Sequence, residues 1–182
     1  MKIGVYVGSF NPIHKGHIHV VNYLLEKKYV DKVLLLATPN YWDKQDLIDV
    51  DKRIEMLRYF ENKNVIVDIK HNDYKYTYQV LDSLKEDYKD DELFLIIGSD
   101  NVVKFHLWDH VEELLQYKIL VLQRDKNNIE EYIKRFNTNN FIIVEGFKPI
   151  EISSTEIRKR ISKEYLDDRV YKYIKDNHLY EV

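Results

Sequence analysis

Residues 2–17 read KIGVYVGSFNPIHKGH, and the change of pattern inside this stretch decides the fold. Lys2 to Val7 is a short apolar run of the kind that forms a buried strand. It stops at Gly8, and GSFNPIHKGH carries two of the chain's five glycines and one of its three prolines, so the strand gives way to a tight loop. From His17 to Lys28 the residues Ile18, Val20, Val21, Leu24 and Leu25 fall on one face of a helix, and Lys32 to Ala37 is again a continuous apolar run. Strand, loop, helix and strand make one βαβ unit with a conspicuous loop after its first strand.

Further apolar runs at Asn64 to Ile69, Leu93 to Ile97, Lys118 to Leu122 and Asn140 to Val144 are predicted strands. Helical patterns at Asp51 to Asn62, Thr77 to Tyr88, His110 to Gln116 and Ile129 to Phe136 separate them. This alternation predicts an α/β fold: a Rossmann-like, doubly wound, mainly parallel sheet with helices on both faces. Ser153 to His178 reads as a helical C-terminal segment with a break near Lys163 to Asp167. No repeat, linker or shift of composition divides the 182 residues, so a single domain over 1–182 is expected. In such sheets ligands bind where the strands end and their connections diverge. The unusual segments GSFNPIHKGH, TPNYWDK and GSDN each follow a predicted strand.

Composition narrows the function. Apolar residues make up 45% and charged residues 32%, the balance of an ordinary globular chain, and the formal net charge is −3. A mildly acidic chain has no global attraction for nucleic acid, so phosphate chemistry has to come from local cations and amides, and a small-molecule site is expected. The absence of cysteine excludes disulfides, thiolate metal sites and a cysteine nucleophile. No signal-peptide pattern follows Met1 and no apolar run approaches membrane-spanning length. The expectation is a cytoplasmic enzyme with neither nucleic acid nor membrane as partner, its state of oligomerisation left open.

The loop itself suits phosphate. Gly8 lets the backbone approach an anion closely, and Gly16 removes a side chain beside the helix start. His14 and His17 are three residues apart, so both rings face one ligand if the helix begins there. Free amides and the positive end of the helix dipole add anion affinity, and a bound anion is expected to favour the protonated rings. His19 falls off this spacing and is expected to face solvent or the sheet. A tight turn with chance histidines is the bland alternative, and the strand before, the glycines within and the helix after weigh against it. The segment Ile152 to Arg158, ISSTEIR, has capping residues at Ser153 to Thr155, with Glu156 placed as in a capping box. A plain cap favours acids near a helix start, yet Arg158, Lys159 and Arg160 follow, and an anion is the missing partner.

GSFNPIHKGH resembles the signature loop of the nucleotidylyltransferase superfamily, and ISSTEIR is similar to its second signature, I-S-S-T-x-I-R. Between them TPNYWDK, YTYQVL and IIGSDN with Trp108 downstream resemble the bacterial nicotinate-nucleotide adenylyltransferases. The resemblance implies transfer of AMP from ATP to a pyridine mononucleotide on the route to NAD. It implies His14, His17 and Arg158 as the catalytic groups, with Arg158 on the leaving pyrophosphate. Gly8, Ser9, Phe10, Gly16, Gly98, Asp100, Ile152, Ser153 and Ser154 would hold ATP, with Asp100 on a ribose or beside the metal. Asn11, Lys44, Thr77 and Trp108 would hold the acceptor, Trp108 by stacking on the pyridine. The chain has no dense carboxylate cluster, so Mg²⁺ is expected to come in on the triphosphate. Tyr41, Trp42 and Asp43 stand where P-P-H is usual, and Gln79 stands where Asp is frequent. The alternatives are a sister enzyme, such as a pantetheine-phosphate adenylyltransferase or a cytidylyltransferase, and a nucleotide-sensing module without turnover.

Overall fold

The computed structural model of the chain describes residues 1–39 and 46–181. Six parallel strands form one sheet: β1 (Lys2–Gly8), β2 (Lys32–Ala37), β3 (Val65–Val67), β4 (Glu92–Gly98), β5 (Lys118–Leu122) and β6 (Phe141–Ile143). Their order is β3-β2-β1-β4-β5-β6, with Val5 opposite both Leu34 of β2 and Leu95 of β4. The chain winds outward from β1 to one edge and then from β4 to the other. The strand order therefore reverses at the β1/β4 boundary, the place where open α/β sheets hold their ligands.

The helices follow the apolar periodicity. Helix α1 (Lys15–Glu26) buries Val20, Val21 and Leu24, and α2 (Val50–Arg58) buries Ile54, Met56 and Leu57. Together with Val170 and Ile174 of the C-terminal helix they form the core on one face of the sheet. On the other face α3 (Thr77–Asp87) packs Val80, Leu81 and Leu84 into a core with Ile3, Val5, Leu34 and Leu95. Leu24 is fully buried, and Leu24→Ala is expected to cost about 2 to 5 kcal/mol, the transfer of the lost atoms plus the cavity left behind. Short helices complete the chain: α4 (Ser99–Lys104), α5 (Val111–Leu114), α6 (Ile129–Ile133), α7 (Ser154–Lys159) and α8 (Asp168–Asp176). Among the described residues no helix is long and apolar enough to cross a membrane.

The structure departs from the sequence reading at a few boundaries. Strand β3 is shorter than predicted because Asp68 turns the chain: its Oδ1 accepts the backbone N–H of Lys70 (3.0 Å) and of His71 (2.7 Å). The GSDN segment, left without an element in the sequence reading, starts α4. The Ser99 hydroxyl, fully buried, donates to Asp125 Oδ1 (2.8 Å) and accepts the Arg124 N–H (2.9 Å), tying this junction to the end of β5. The C-terminal segment breaks into α7 and α8 across 160–167, a wider gap than expected.

Candidate active site

The signature loop leaves β1 at Gly8 and turns sharply. Phe10 has a left-handed backbone (φ 46°), uncommon for a residue with a side chain. Its ring is buried edge-on against Tyr6 (5.3 Å between centroids) and His17 (5.0 Å), so packing on both sides holds the strained backbone in place. The Asn11-Pro12 peptide is cis. Arg53, completely buried, fastens this loop to its neighbours by donating to the carbonyl oxygens of Ser9 (2.7 Å), Thr38 (2.7 Å) and Ile48 (2.9 Å).

His14 and His17 cap α1 in a reciprocal pair. His14 Nδ1 accepts the Gly16 N–H (3.0 Å), and His17 Nδ1 accepts the His14 N–H (3.1 Å). The rings stack with centroids 3.7 Å apart. A Cβ on residue 16 would lie 2.8 Å from the His14 ring, so only glycine lets that ring fold over the helix start. Burial, then the charge of Arg124, holds the His14 pKa down to about 4. Burial, His14 and Arg124 hold His17 well below its ordinary range. Both rings are therefore neutral, and with Nδ1 accepting from the backbone each carries its hydrogen on Nε2. The amides of Lys15 and Gly16 are not free for an anion, because the Tyr165 carbonyl (2.8 Å) and the His14 ring take them. What the helix start presents instead is a pair of Nε2–H donors, polarised by the amides behind them. Protonated rings would lose those backbone bonds. His19 packs as expected outside the pair, its ring on Phe147 (4.9 Å) and its Nε2 at the Lys148 carbonyl (2.8 Å).

Two cavities open at the carboxyl edge of the sheet. One, about 160 Å³, is lined by Gly8, Ser9, Phe10, Thr77, Gly98 and Trp108. The other, about 370 Å³, is lined by His14, Asp100, Asp125 and Ile150 to Ser154. His17 and Arg124 line both. Of the residues expected to hold ATP, Asp100, Ile152, Ser153 and Ser154 thus lie on the larger groove, whereas Gly8, Ser9, Phe10 and Gly98 lie on the smaller cavity with Thr77 and Trp108. Gly16 lies beneath the His14 ring. Trp108 is half-buried, tilted against Phe105 at 5.1 Å, with part of the ring left to the cavity.

Arg124 was not singled out by the sequence reading. Its Nε (3.2 Å) and Nη2 (2.8 Å) bind Asp100 Oδ1, and Nη1 makes no hydrogen bond within the described residues. The guanidinium lies close against Gly98, where a Cβ would meet it at 2.1 to 2.5 Å. Its signal was available: Arg124 comes two residues after β5, at the same sheet edge as the segments that did draw attention.

Arg158, expected on the leaving pyrophosphate, is engaged with the signature loop. It lines neither cavity; its Nη1 donates to the Asn11 carbonyl (2.9 Å) and its Nη2 lies 3.4 Å from Thr155 Oγ1. Asn11, expected on the acceptor, is 4% exposed and engaged within the chain: Nδ2 donates to the Asp46 carbonyl (2.7 Å), and Oδ1 accepts from the Tyr180 hydroxyl (2.7 Å). Ser154 Oγ donates to the Pro12 carbonyl (2.9 Å). These contacts brace the signature loop against α7 and the C-terminus. Ser153 caps α7 as predicted, accepting the Glu156 N–H (3.2 Å). Gln79 turns its Oε1 to the Tyr76 N–H (3.1 Å) and caps α3. Lys44, Tyr41, Trp42 and Asp43 lie outside the described residues.

The cytidylyltransferase-like family pattern matches residues 5–160. A probable nicotinate-nucleotide adenylyltransferase of Fusobacterium nucleatum is 38% identical, over 96% of this chain and 95% of that protein. The chain belongs to the nicotinate-nucleotide adenylyltransferase family. A Borrelia garinii protein of the same name is 34% identical over 99% of the chain and 95% of its own length. A solved structure of the Plasmodium falciparum nicotinic acid mononucleotide adenylyltransferase, complexed with NaAD, superposes with a TM-score of 0.80 over 98% of this chain and 97% of that one. At 23% identity this last likeness speaks for the fold. Membership fits the division of the site, since a group transfer needs a donor pocket and an acceptor pocket that meet.

Proposed function

We propose that the protein transfers the AMP group of ATP to nicotinate mononucleotide and releases pyrophosphate, a step on the route to NAD. The observation that carries this reading is the pair of cavities that meet at His17 and Arg124. The cavity bearing Thr77 and Trp108 suits a flat pyridine, and the groove bearing His14, Ser153 and Ser154 suits a triphosphate. The names of the curated relatives support the same pair of substrates.

In this mechanism an oxygen of the acceptor's phosphate forms a bond to the α-phosphorus of ATP while the bond to the β-phosphate oxygen breaks, its electron pair leaving with pyrophosphate. The nucleophile is already an anion near neutral pH, so no general base is needed. Catalysis rests on positioning and on donors aimed at the charge developing around phosphorus. The Nε2–H groups of His14 and His17 serve as those donors while neutral, and Arg124, which lines both cavities, adds the positive charge. Arg158, Asn11 and Arg53 keep the loop in place. Among the described residues no group of three or more His, Asp or Glu side chains is placed to hold a metal. Mg²⁺ carried by the triphosphate would neutralise its charge.

The test is a panel of ATP and CTP, each with nicotinate mononucleotide, nicotinamide mononucleotide and phosphopantetheine, following pyrophosphate. Release with ATP and nicotinate mononucleotide is expected to exceed every other pair. Preference for CTP, or for phosphopantetheine, would move the protein to a sister activity, and no release with any pair would leave a sensing module.

A further inference from the structure

Tyr6 lies near the end of β1, two positions ahead of Gly8 and opposite Leu35 of β2, and the mechanism above gives it no task. Its side chain is 7% exposed and lines the smaller cavity. The ring packs on Phe10 and lies edge-on to His17, 6.2 Å between centroids. Other tyrosines of the chain hand their hydroxyl hydrogen to an oxygen of the protein, Tyr117 to Asp82 and Tyr180 to Asn11. The Tyr6 hydroxyl makes no hydrogen bond within the described residues, and no buried side-chain oxygen there is left sealed off without a partner. It is therefore a nearly buried phenol whose polar end opens into the cavity. Phenylalanine would fill the same space, so ring packing alone gives the hydroxyl no task.

We propose that the Tyr6 hydroxyl is a further binding group for the acceptor, donating a hydrogen bond to the phosphate of the mononucleotide. This rests on the function proposed above. A pyridine against Trp108 and Thr77 puts the attached phosphate at the other end of the cavity, where His17 and Arg124 border the donor groove. Tyr6 lines the acceptor cavity and not the groove, so its partner is the acceptor's own phosphate and not the triphosphate. Burial raises the pKa of the phenol, against the pull of Arg124, so it keeps its hydrogen and can only donate or accept as a neutral group. A neutral donor suits this position: it orients a phosphate oxygen without withdrawing its charge as a second cation would. Tyr6 also supplies discrimination, because a dephosphorylated nucleoside leaves the hydroxyl without its partner.

The test is a binding cycle. Kd values for nicotinate mononucleotide and for nicotinate riboside, its dephosphorylated form, are measured by calorimetry on the wild type and on Tyr6→Phe, which removes only the hydroxyl. Fitted stoichiometry reports the competent fraction, so a partly unfolded preparation still returns its Kd. The wild type is expected to prefer the mononucleotide, and Tyr6→Phe to lose about 10- to 100-fold of that preference, the range for a hydrogen bond to a charged group, with riboside affinity and the KM for ATP unchanged. Equal losses for both ligands would assign the residue to ring packing and overturn the proposal, and so would an unchanged preference. A wild type that binds the mononucleotide no better than the riboside would refute the proposed function itself, a different failure from that of Tyr6.

Discussion

Replacing Arg124 by glutamine separates catalysis from stability more cleanly than any other change at this site. The ion pair lost is with Asp100, whose side chain is 55% exposed while that of Arg124 is 32% exposed. Pairs of that exposure contribute about 0 to 1 kcal/mol to folding, so the melting temperature should hardly move. Catalysis should suffer far more. Arg124 borders both cavities with Nη1 unengaged, the position from which a cation meets charge spreading over the transferred phosphate. Loss of one such donor typically lowers turnover about 100- to 1000-fold. A second effect has a definite sign. Arg124 pushes the pKa of His14 and of His17 down, so both rise in Arg124→Gln, and the acid side of the pH-rate profile moves to higher pH. Steady-state rates from pH 5 to 9 with both substrates saturating, set beside thermal melts, test this. A variant with wild-type kcat, or one whose lost activity matches lost stability, would refute the placement of Arg124 at the centre of the reaction.

His17→Ala is expected to lower kcat about 100- to 1000-fold with little change in the KM for ATP, since its Nε2–H matters most in the transition state; an ordinary kcat in the folded variant removes it from the mechanism. Trp108→Ala should weaken acceptor binding by about 1 to 3 kcal/mol, the range for a lost stacking contact, with Trp108→Phe recovering part of it. Loss of both substrates together with a lowered melting temperature would instead make Trp108 a packing residue against Phe105. For pH, the folded pKa of His14 is about 4 against 6.5 unfolded. The unfolded chain takes up the proton first, so the contribution is present above pH 6.5 and declines as pH falls toward 4, by about 3 kcal/mol in all. Urea unfolding of the wild type and of His14→Gln at pH 7 and pH 4.5 checks this, and an equal loss of stability in both would show that His14 is not the titrating group.

The alternation of elements was legible because each strand of a parallel sheet is buried on both faces and reads as an unbroken apolar run. Strands β1, β2 and β5 kept their predicted extents within a residue for that reason. Where the reading slipped, a side chain competed with the regular backbone pattern. Asp68 ended β3 by drawing two amides to its carboxylate; the acid is visible in the sequence after Val67, but not which amides it takes. Ser99, small and polar after a strand, reads as a turn residue, yet its hydroxyl is buried between Asp125 and the Arg124 amide and starts a helix.

At the site, the sequence reported which segments meet but not which charge points where. Arg158 and Arg124 have the same side chain, and both follow a segment at the ligand edge. The first is held by the Asn11 carbonyl within the signature loop. The second is held by a carboxylate at the groove and lines both cavities. A guanidinium bound to a carbonyl inside a loop stiffens that loop, and one bound to an exposed carboxylate can exchange it for a phosphate. The histidines make the same point about protons. Their spacing put both rings on one ligand but did not show that the backbone amides of Gly16 and His14 occupy Nδ1 and leave neutral Nε2–H donors. If those donors act while neutral, kcat should stay level from pH 7 to 9. An imidazolium mechanism instead requires it to fall as the rings lose their protons.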